Sequence, residues 1–240
     1  MEEIDGVCCH VECSGEGCGV VLLHGWGQNV SMMRLIQCQL QDRYRVLNFD
    51  LPGFGKSVPL KDTWNMEDYV PFLHYLLNKY QIENPIIIAH SFGARIAIAY
   101  AARYGVSCMV LTGAAGLRAP LTVYKRCKQV VYRGFRFLHL PFSMGSEDYR
   151  QADPIMKRVL VQAVNEDLRP LLPHIACPVL LVWGSEDHQT PLWMGKEMER
   201  AFPNAKLLVY QKEDHFAYYH QGFRFMEDVR QFLEVNGCAG

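Results

Sequence analysis

Short unbroken apolar runs alternate along this chain with longer stretches whose apolar residues recur every three or four positions. Runs of that first kind, closed by Gly, Pro or Asp, have the pattern of strands buried on both faces; the second kind has the period of an amphipathic helix. Gly19–Leu23, Tyr44–Phe49, Pro85–Ala89, Val106–Thr112, Pro178–Trp183 and Ala205–Tyr210 read as strands, and Val7–Val11 as an earlier one followed by a Ser14–Gly17 turn. Between them, Ser31–Leu40 reads as a helix with Ser31 as N-cap. Asn65–Tyr80 is helical through Met66, Tyr69, Val70, Leu73, Leu76 and Leu77, with Asn65 as N-cap. Phe92–Tyr104, Leu192–Ala201 and Gly222–Val235 complete the helices. Strand–helix alternation of this kind predicts an α/β fold: a mostly parallel central sheet with helices on both faces.

The alternation breaks once. From Leu117 to His174 there is no clear buried strand, but there are aromatics, basic residues and helical stretches such as Ile155–Val164. The reading is one α/β domain, residues 1–116 and 175–240, with a helical cap inserted at 117–174. Between Arg118 and Pro170 ten Lys and Arg face five Asp and Glu, an excess of five positive charges in a chain of formal net charge -1. A solvated helical surface has such charges, and so does a lid that attracts an anion. The stretch Tyr132–Leu138, with Arg133 and Arg136 among aromatics, favours the lid.

Composition is that of an ordinary globular protein, 50% hydrophobic and 20% charged. Near-neutral charge gives no sign of a nucleic-acid partner. No apolar run reaches the roughly 18 residues of a membrane span, and an acidic Met1–Asp5 is unlike a signal peptide, so a cytoplasmic protein is expected. The nine cysteines are then expected to be thiols. Cys8, Cys9, Cys13 and Cys18 lack the paired C-x2-C spacing of zinc sites, so no metal is expected there. Cys108, Cys127 and Cys177 read as small core residues.

Four segments carry candidate chemistry, each at a strand end. Ala89-His90-Ser91-Phe92-Gly93 lies between a predicted strand and a predicted helix, where a sharp turn exposes a serine and requires small residues two before and two after it. Ala89 stands where the pattern G-x-S-x-G has glycine. Ser91 is the candidate nucleophile, or else an ordinary helix N-cap. His24-Gly25-Trp26-Gly27 follows an earlier strand, and the backbone N–H groups of Trp26 and Phe92 are the candidate oxyanion hole, unless the glycines only make a tight turn. In Trp183-Gly184-Ser185-Glu186-Asp187, Asp187 is the candidate acid and Glu186 its reserve; a solvated acidic turn is the alternative. Asp214-His215-Phe216 follows the last strand and supplies His215 as general base, with His188 and His220 as competitors and His24 and His90 as structural residues beside the site.

The order Ser, Asp, His, each at a strand end, resembles the α/β-hydrolase superfamily over nearly the full length. His24-Gly25-Trp26-Gly27-Gln28-Asn29 and Asn48-Phe49-Asp50-Leu51-Pro52-Gly53-Phe54-Gly55-Lys56-Ser57 more particularly resemble the carboxylesterases of biotin synthesis that hydrolyse the methyl ester of pimeloyl-acyl carrier protein, a family with a helical cap over its site. The resemblance and the residues together imply carboxylic ester hydrolysis without metal or organic cofactor. The expected partner is a small acyl ester, anionic or borne on an acidic carrier protein. Thioester hydrolysis uses the same parts. Carbon–carbon hydrolysis of a vinylogous diketone and a non-catalytic binding role are the other readings.

Overall fold

The computed structural model describes residues 1–4, 6–118 and 152–237. Tyr132–Leu138, Cys127 and most of the basic residues of the insertion lie outside them. Seven strands form one sheet in the order β3-β5-β4-β6-β7-β8-β9. These are β3 (Val11–Ser14), β4 (Gly19–Leu23), β5 (Arg45–Phe49), β6 (Ile86–His90), β7 (Cys108–Thr112), β8 (Val179–Gly184) and β9 (Ala205–Tyr210). Only β3 runs antiparallel, against β5. The remaining pairs are parallel.

The central strands β6, β7 and β8 are buried at every position, which is why each is a continuous apolar run rather than an alternating one. One face of the sheet, through Val21, Leu23, Ile87 and Leu111, packs on α2 (Met66–Lys79), α3 (Phe92–Tyr104) and α5 (Trp193–Ala201). The other face, through Val20, Leu22, Ile88 and Val110, packs on α1 (Val30–Leu40) and α7 (Gly222–Asn236). A helix α4 (Pro154–Asn165) follows the undescribed segment, covering the predicted Ile155–Val164 stretch, and buries Met156, Val159 and Ala163. Asp153 caps it by accepting from the Ile155 and Met156 amides. The short α6 (Ala217–His220) directly follows the His215 loop.

Three sequence expectations are corrected. Val7–Val11 is not one strand: it breaks at His10 into β2 (Val7–Cys9), paired with β1 (Glu2–Ile4) in a separate hairpin, and β3. His10 N–H is taken by Ser57 Oγ instead of a strand partner. The cap of α1 is Asn29, not Ser31; Asn29 Oδ1 accepts from the Ser31 N–H and hydroxyl, and a longer side chain one residue outside the first turn reaches those donors better. Cys18 is disulfide-bonded, whereas Cys8, Cys9, Cys13, Cys38, Cys108 and Cys177 are free thiols. Pairing depends on proximity in space, which spacing along the chain does not report. Asn65 caps α2 as expected, within a capping box completed by Asp68.

Among the described residues no helix is long and apolar enough to cross a membrane. None of their His, Cys, Asp and Glu side chains gather in threes or more to hold a metal ion.

Candidate active site

Register brings the site together. Leu23 of β4 lies beside Ala89 of β6, which lies beside Leu111 of β7, so three strands end side by side at one sheet edge. The turns beginning at His24, Ser91 and Gly113 therefore converge there. Strands β8 and β9 end beside them and deliver Asp187 and His215.

Ser91 occupies the turn from β6 into α3 with φ 48° and ψ −108°, a conformation that L residues adopt only under constraint from their surroundings. That constraint is visible: Ser91 N–H donates to Thr112 O at 3.1 Å, and Ser91 O accepts from Ala94 N at 3.1 Å and Ala115 N at 3.2 Å. Gly93 is a steric requirement, since a Cβ there would stand 2.5 Å from Leu23 O and 2.7 Å from His24 O. The chain thus needs glycine two residues after the serine so that α3 can start against β4. Ser91 sits at the N-cap position of α3, but its side chain makes no capping bond. Its Oγ instead lies 2.9 Å from His215 Nε2.

His215 is buried and continues the chain inward, its Nδ1 2.8 Å from Asp187 Oδ2. Asp187 is buried too. Its Oδ1 accepts from the Gln189 and Thr190 amides at 2.9 and 2.8 Å, and Oδ2 is also reached by the Thr190 hydroxyl at 2.8 Å. With Asp187 accepting at Nδ1–H, Nε2 is left as the unprotonated nitrogen facing Ser91 Oγ. The neighbours weighed against these residues are placed elsewhere. Glu186 and His188 are exposed. His220 is exposed and faces the carboxylates of Glu213 and Asp214 at 3.2 and 3.5 Å.

Thr190 was not among the residues the sequence singled out. Its buried hydroxyl lies 2.8 Å from Asp187 Oδ2, 3.0 Å from Gly113 O and 3.2 Å from His215 Nδ1, so it packs against the carboxylate–imidazole contact. The spacing Asp-x-x-Thr, with the aspartate accepting from amides two and three residues on, is the signal that could have found it. Removing the hydroxyl in Thr190→Val is expected to lower kcat on the order of 10-fold, about the loss of one hydrogen bond to a charged group. Steady-state kinetics on a variant with unchanged melting temperature checks this; an unaltered kcat would make Thr190 mere packing.

His24 and His90 have structural places beside the site, as expected. His24 donates from Nδ1 to Gly25 O at 2.8 Å and accepts the Leu51 N–H at Nε2 at 2.9 Å, tying the Trp26 loop to the loop after β5. Burial lowers its pKa to about 4. His90 donates to Thr112 O, and its ring packs 4.7 Å from that of His215. Burial, reinforced by His215, keeps it neutral. A histidine of depressed pKa stabilises the fold while neutral. Unfolded, it takes up a proton below about 6.5, so stability is complete above that pH and is lost as pH falls toward the folded value of about 4. For His24 the loss approaches about 3 kcal/mol. Melting temperature measured from pH 7 to pH 4 at constant ionic strength should fall, and His24→Gln should flatten the slope; parallel slopes in both proteins would refute the assignment.

The N–H groups of Trp26 and Phe92 donate to no other group among the described residues. Both residues border a cavity of about 640 Å³ that reaches Ser91 and His215. Phe92 is the first residue of α3, so its amide is one that a helix leaves unbonded. The Trp26 ring packs edge-on against Phe54 and Phe92 at 5.0 and 5.3 Å, which fixes the loop that bears its amide. Gln28 Oε1 accepts the Gly25 N–H at 2.9 Å and shapes the same loop. Leu160, Ala163 and Val164 of α4 form the opposite wall.

A half-buried serine on a strained turn, bonded to a histidine that is itself bonded to a buried carboxylate, is the arrangement expected of an acyl-transferring hydrolase. Residues 20–228 match the alpha/beta hydrolase family, and the chain belongs to that family. Its relatives include a pimeloyl-[acyl-carrier protein] methyl ester esterase of Vibrio vulnificus, 24% identical over 93% of this chain and 97% of that protein. A 2-hydroxy-6-oxononadienedioate/2-hydroxy-6-oxononatrienedioate hydrolase of a Pseudomonas species is 28% identical over 93% of this chain and 91% of that one. An esterase from Exiguobacterium antarcticum superposes with a TM-score of 0.78 at 22% identity, covering 97% of this chain and 98% of that one.

Proposed function

We propose that this chain is a serine esterase that hydrolyses carboxylic esters through an acyl-enzyme, with Ser91 as nucleophile, His215 as general base and acid, and Asp187 orienting the imidazole. The observation that carries the reading is the bonded series Ser91 Oγ, His215 Nε2, His215 Nδ1, Asp187 Oδ2, with spacings of 2.9 and 2.8 Å. His215 takes the Ser91 proton as Oγ attacks the ester carbon. The Trp26 and Phe92 N–H groups receive the oxyanion, each donor of this kind contributing about 3–4 kcal/mol. Asp187 stabilises the imidazolium, which then protonates the departing alcohol. Water, deprotonated by His215, repeats the attack and releases the acid. Every step uses this chain's own groups.

In this reading α4, which belongs to the insertion, forms one wall of the cavity, as a cap would. Support for an ester substrate, including an acyl group on a carrier protein, comes from the Vibrio relative. Carbon–carbon hydrolysis is the second reading, favoured by the likeness to the Pseudomonas relative. Purified protein assayed against chromogenic esters of increasing acyl length and against a vinylogous diketone separates them. Turnover of the esters with no diketone cleavage is the expected result. Diketone cleavage with inert esters would reject the esterase reading.

A further inference from the structure

Arg95 stands out in the cavity wall. It lies one turn into α3, four residues after Ser91, about 6 Å along the helix axis from it. The neighbours in this helix are small or apolar, and the arginine itself is only 4% exposed. Buried arginines ordinarily meet a carboxylate, because removing a charge from water is costly unless it is paired. Among the described residues no carboxylate lies within ion-pair distance of Arg95, although those of Glu166 and Asp167 are near enough to act on its charge. The hydrogen bond it makes among them runs from Nη1 to the backbone carbonyl of Glu166, at 3.2 Å, just beyond the end of α4. Asp167 is engaged instead by Arg169 at 3.0 Å. Burial lowers the Arg95 pKa to about 10, and the neighbouring charges of Glu166 and Asp167 offset that only in part.

A guanidinium has five N–H donors in a planar fork, and one bond to a carbonyl leaves most of that fork open. Arg95 borders the same cavity as Ser91 and His215. Among the described residues bordering that cavity there is no acidic side chain, and Arg95 is the one permanent charge. The rest of the wall mixes apolar residues, among them Phe92, Leu160 and Val164, with the uncharged polar Gln28, Gln189 and Thr190. A cavity with a serine at one point, apolar side chains along its wall and a buried cation at another fits an apolar spacer with an anion at its far end.

We propose that Arg95 is the specificity-determining residue of this site and binds a carboxylate carried on the acyl chain, so that the preferred substrate is the half-ester of a dicarboxylic acid. The proposal rests on the esterase reading above and adds the class of ester. It also places the anion-recognising charge inside the cavity rather than on the outer face of the insertion. A carboxylate suits the fork because two parallel N–H···O bonds satisfy it in one plane. Bound there, it would hold the ester carbonyl at a fixed distance along the cavity toward Ser91.

The test compares monomethyl adipate, anionic at neutral pH, with methyl hexanoate, its neutral counterpart of equal acyl length. The wild-type protein should favour the adipate ester in kcat/KM on the order of 10- to 100-fold. In Arg95→Met that ratio should collapse toward one, and Arg95→Lys should restore part of it, since lysine keeps the charge and loses the fork. If Arg95→Met slows both esters by the same factor, the arginine is only a clamp on the end of α4 and the proposal is overturned. Equal wild-type rates for the two esters overturn it without any variant at Arg95. Calorimetry of monomethyl adipate and methyl hexanoate on Ser91→Ala reads recognition without hydrolysis: the adipate ester should bind at least 10-fold more tightly, and equal affinities would reject the assignment. Tighter binding of monomethyl adipate that depends on Arg95, in a protein that hydrolyses neither ester, would leave Arg95 standing and reject the esterase reading instead.

Discussion

Ser91→Ala is expected to lower kcat on the order of 10⁶-fold while leaving the fold intact, the scale of loss when a hydrolase of this design loses its nucleophile. The substitution removes one oxygen from a half-buried side chain. It leaves the bonds that hold the turn, because Ser91 N–H to Thr112 O and Ser91 O to the Ala94 and Ala115 amides are all backbone. The hydroxyl caps no helix, so its loss does not weaken α3. Stability and activity should therefore separate cleanly: an unchanged melting temperature beside a vanished rate. Hydrolysis within 10-fold of wild type would place the nucleophile elsewhere.

His215→Ala should be comparably severe, since Ser91 then has no base within reach and Asp187 is left buried without its imidazole. Some destabilisation should accompany it. Thr190 and the two loop amides still satisfy Asp187, which keeps that loss modest. His220→Ala provides the control, because that ring is exposed and, among the described residues, pairs with the Glu213 and Asp214 carboxylates rather than with Ser91. It should keep most of the activity, as should His188→Ala. Equal losses in His215→Ala and His220→Ala would contradict the arrangement.

Much of this was legible before the structure because the central strands are buried on both faces. Ile86–His90, Cys108–Thr112 and Val179–Gly184 each appear as an apolar run, and Ser91 and Asp187 follow two of these runs within a few positions. Parallel strands end at a common edge, so residues far apart in sequence could be placed together from strand order alone. The edges of the sheet were less legible. His10 splits a run that looks continuous because its amide is claimed by Ser57, forty-seven residues away, and no local pattern records that. Asn29 rather than Ser31 caps α1 for a reason of reach that propensity alone does not rank. Thr190 acts through tertiary contacts to Gly113 and His215. Arg95 resembled any helical arginine; the surrounding run of small apolar residues was the one hint that its helix is buried all round. The charged stretch around Arg133 and Arg136 remains a reading of sequence, lying outside the described residues.

The central claim is that Ser91 is an activated nucleophile, and covalent capture tests it most directly. Purified protein treated with a fluorophosphonate, digested and examined by mass spectrometry should carry one phosphonyl adduct, on the peptide containing Ser91. Ser91→Ala should carry none, and His215→Ala should be labelled far more slowly. An unlabelled wild-type protein, or an adduct on a different serine, would contradict the account.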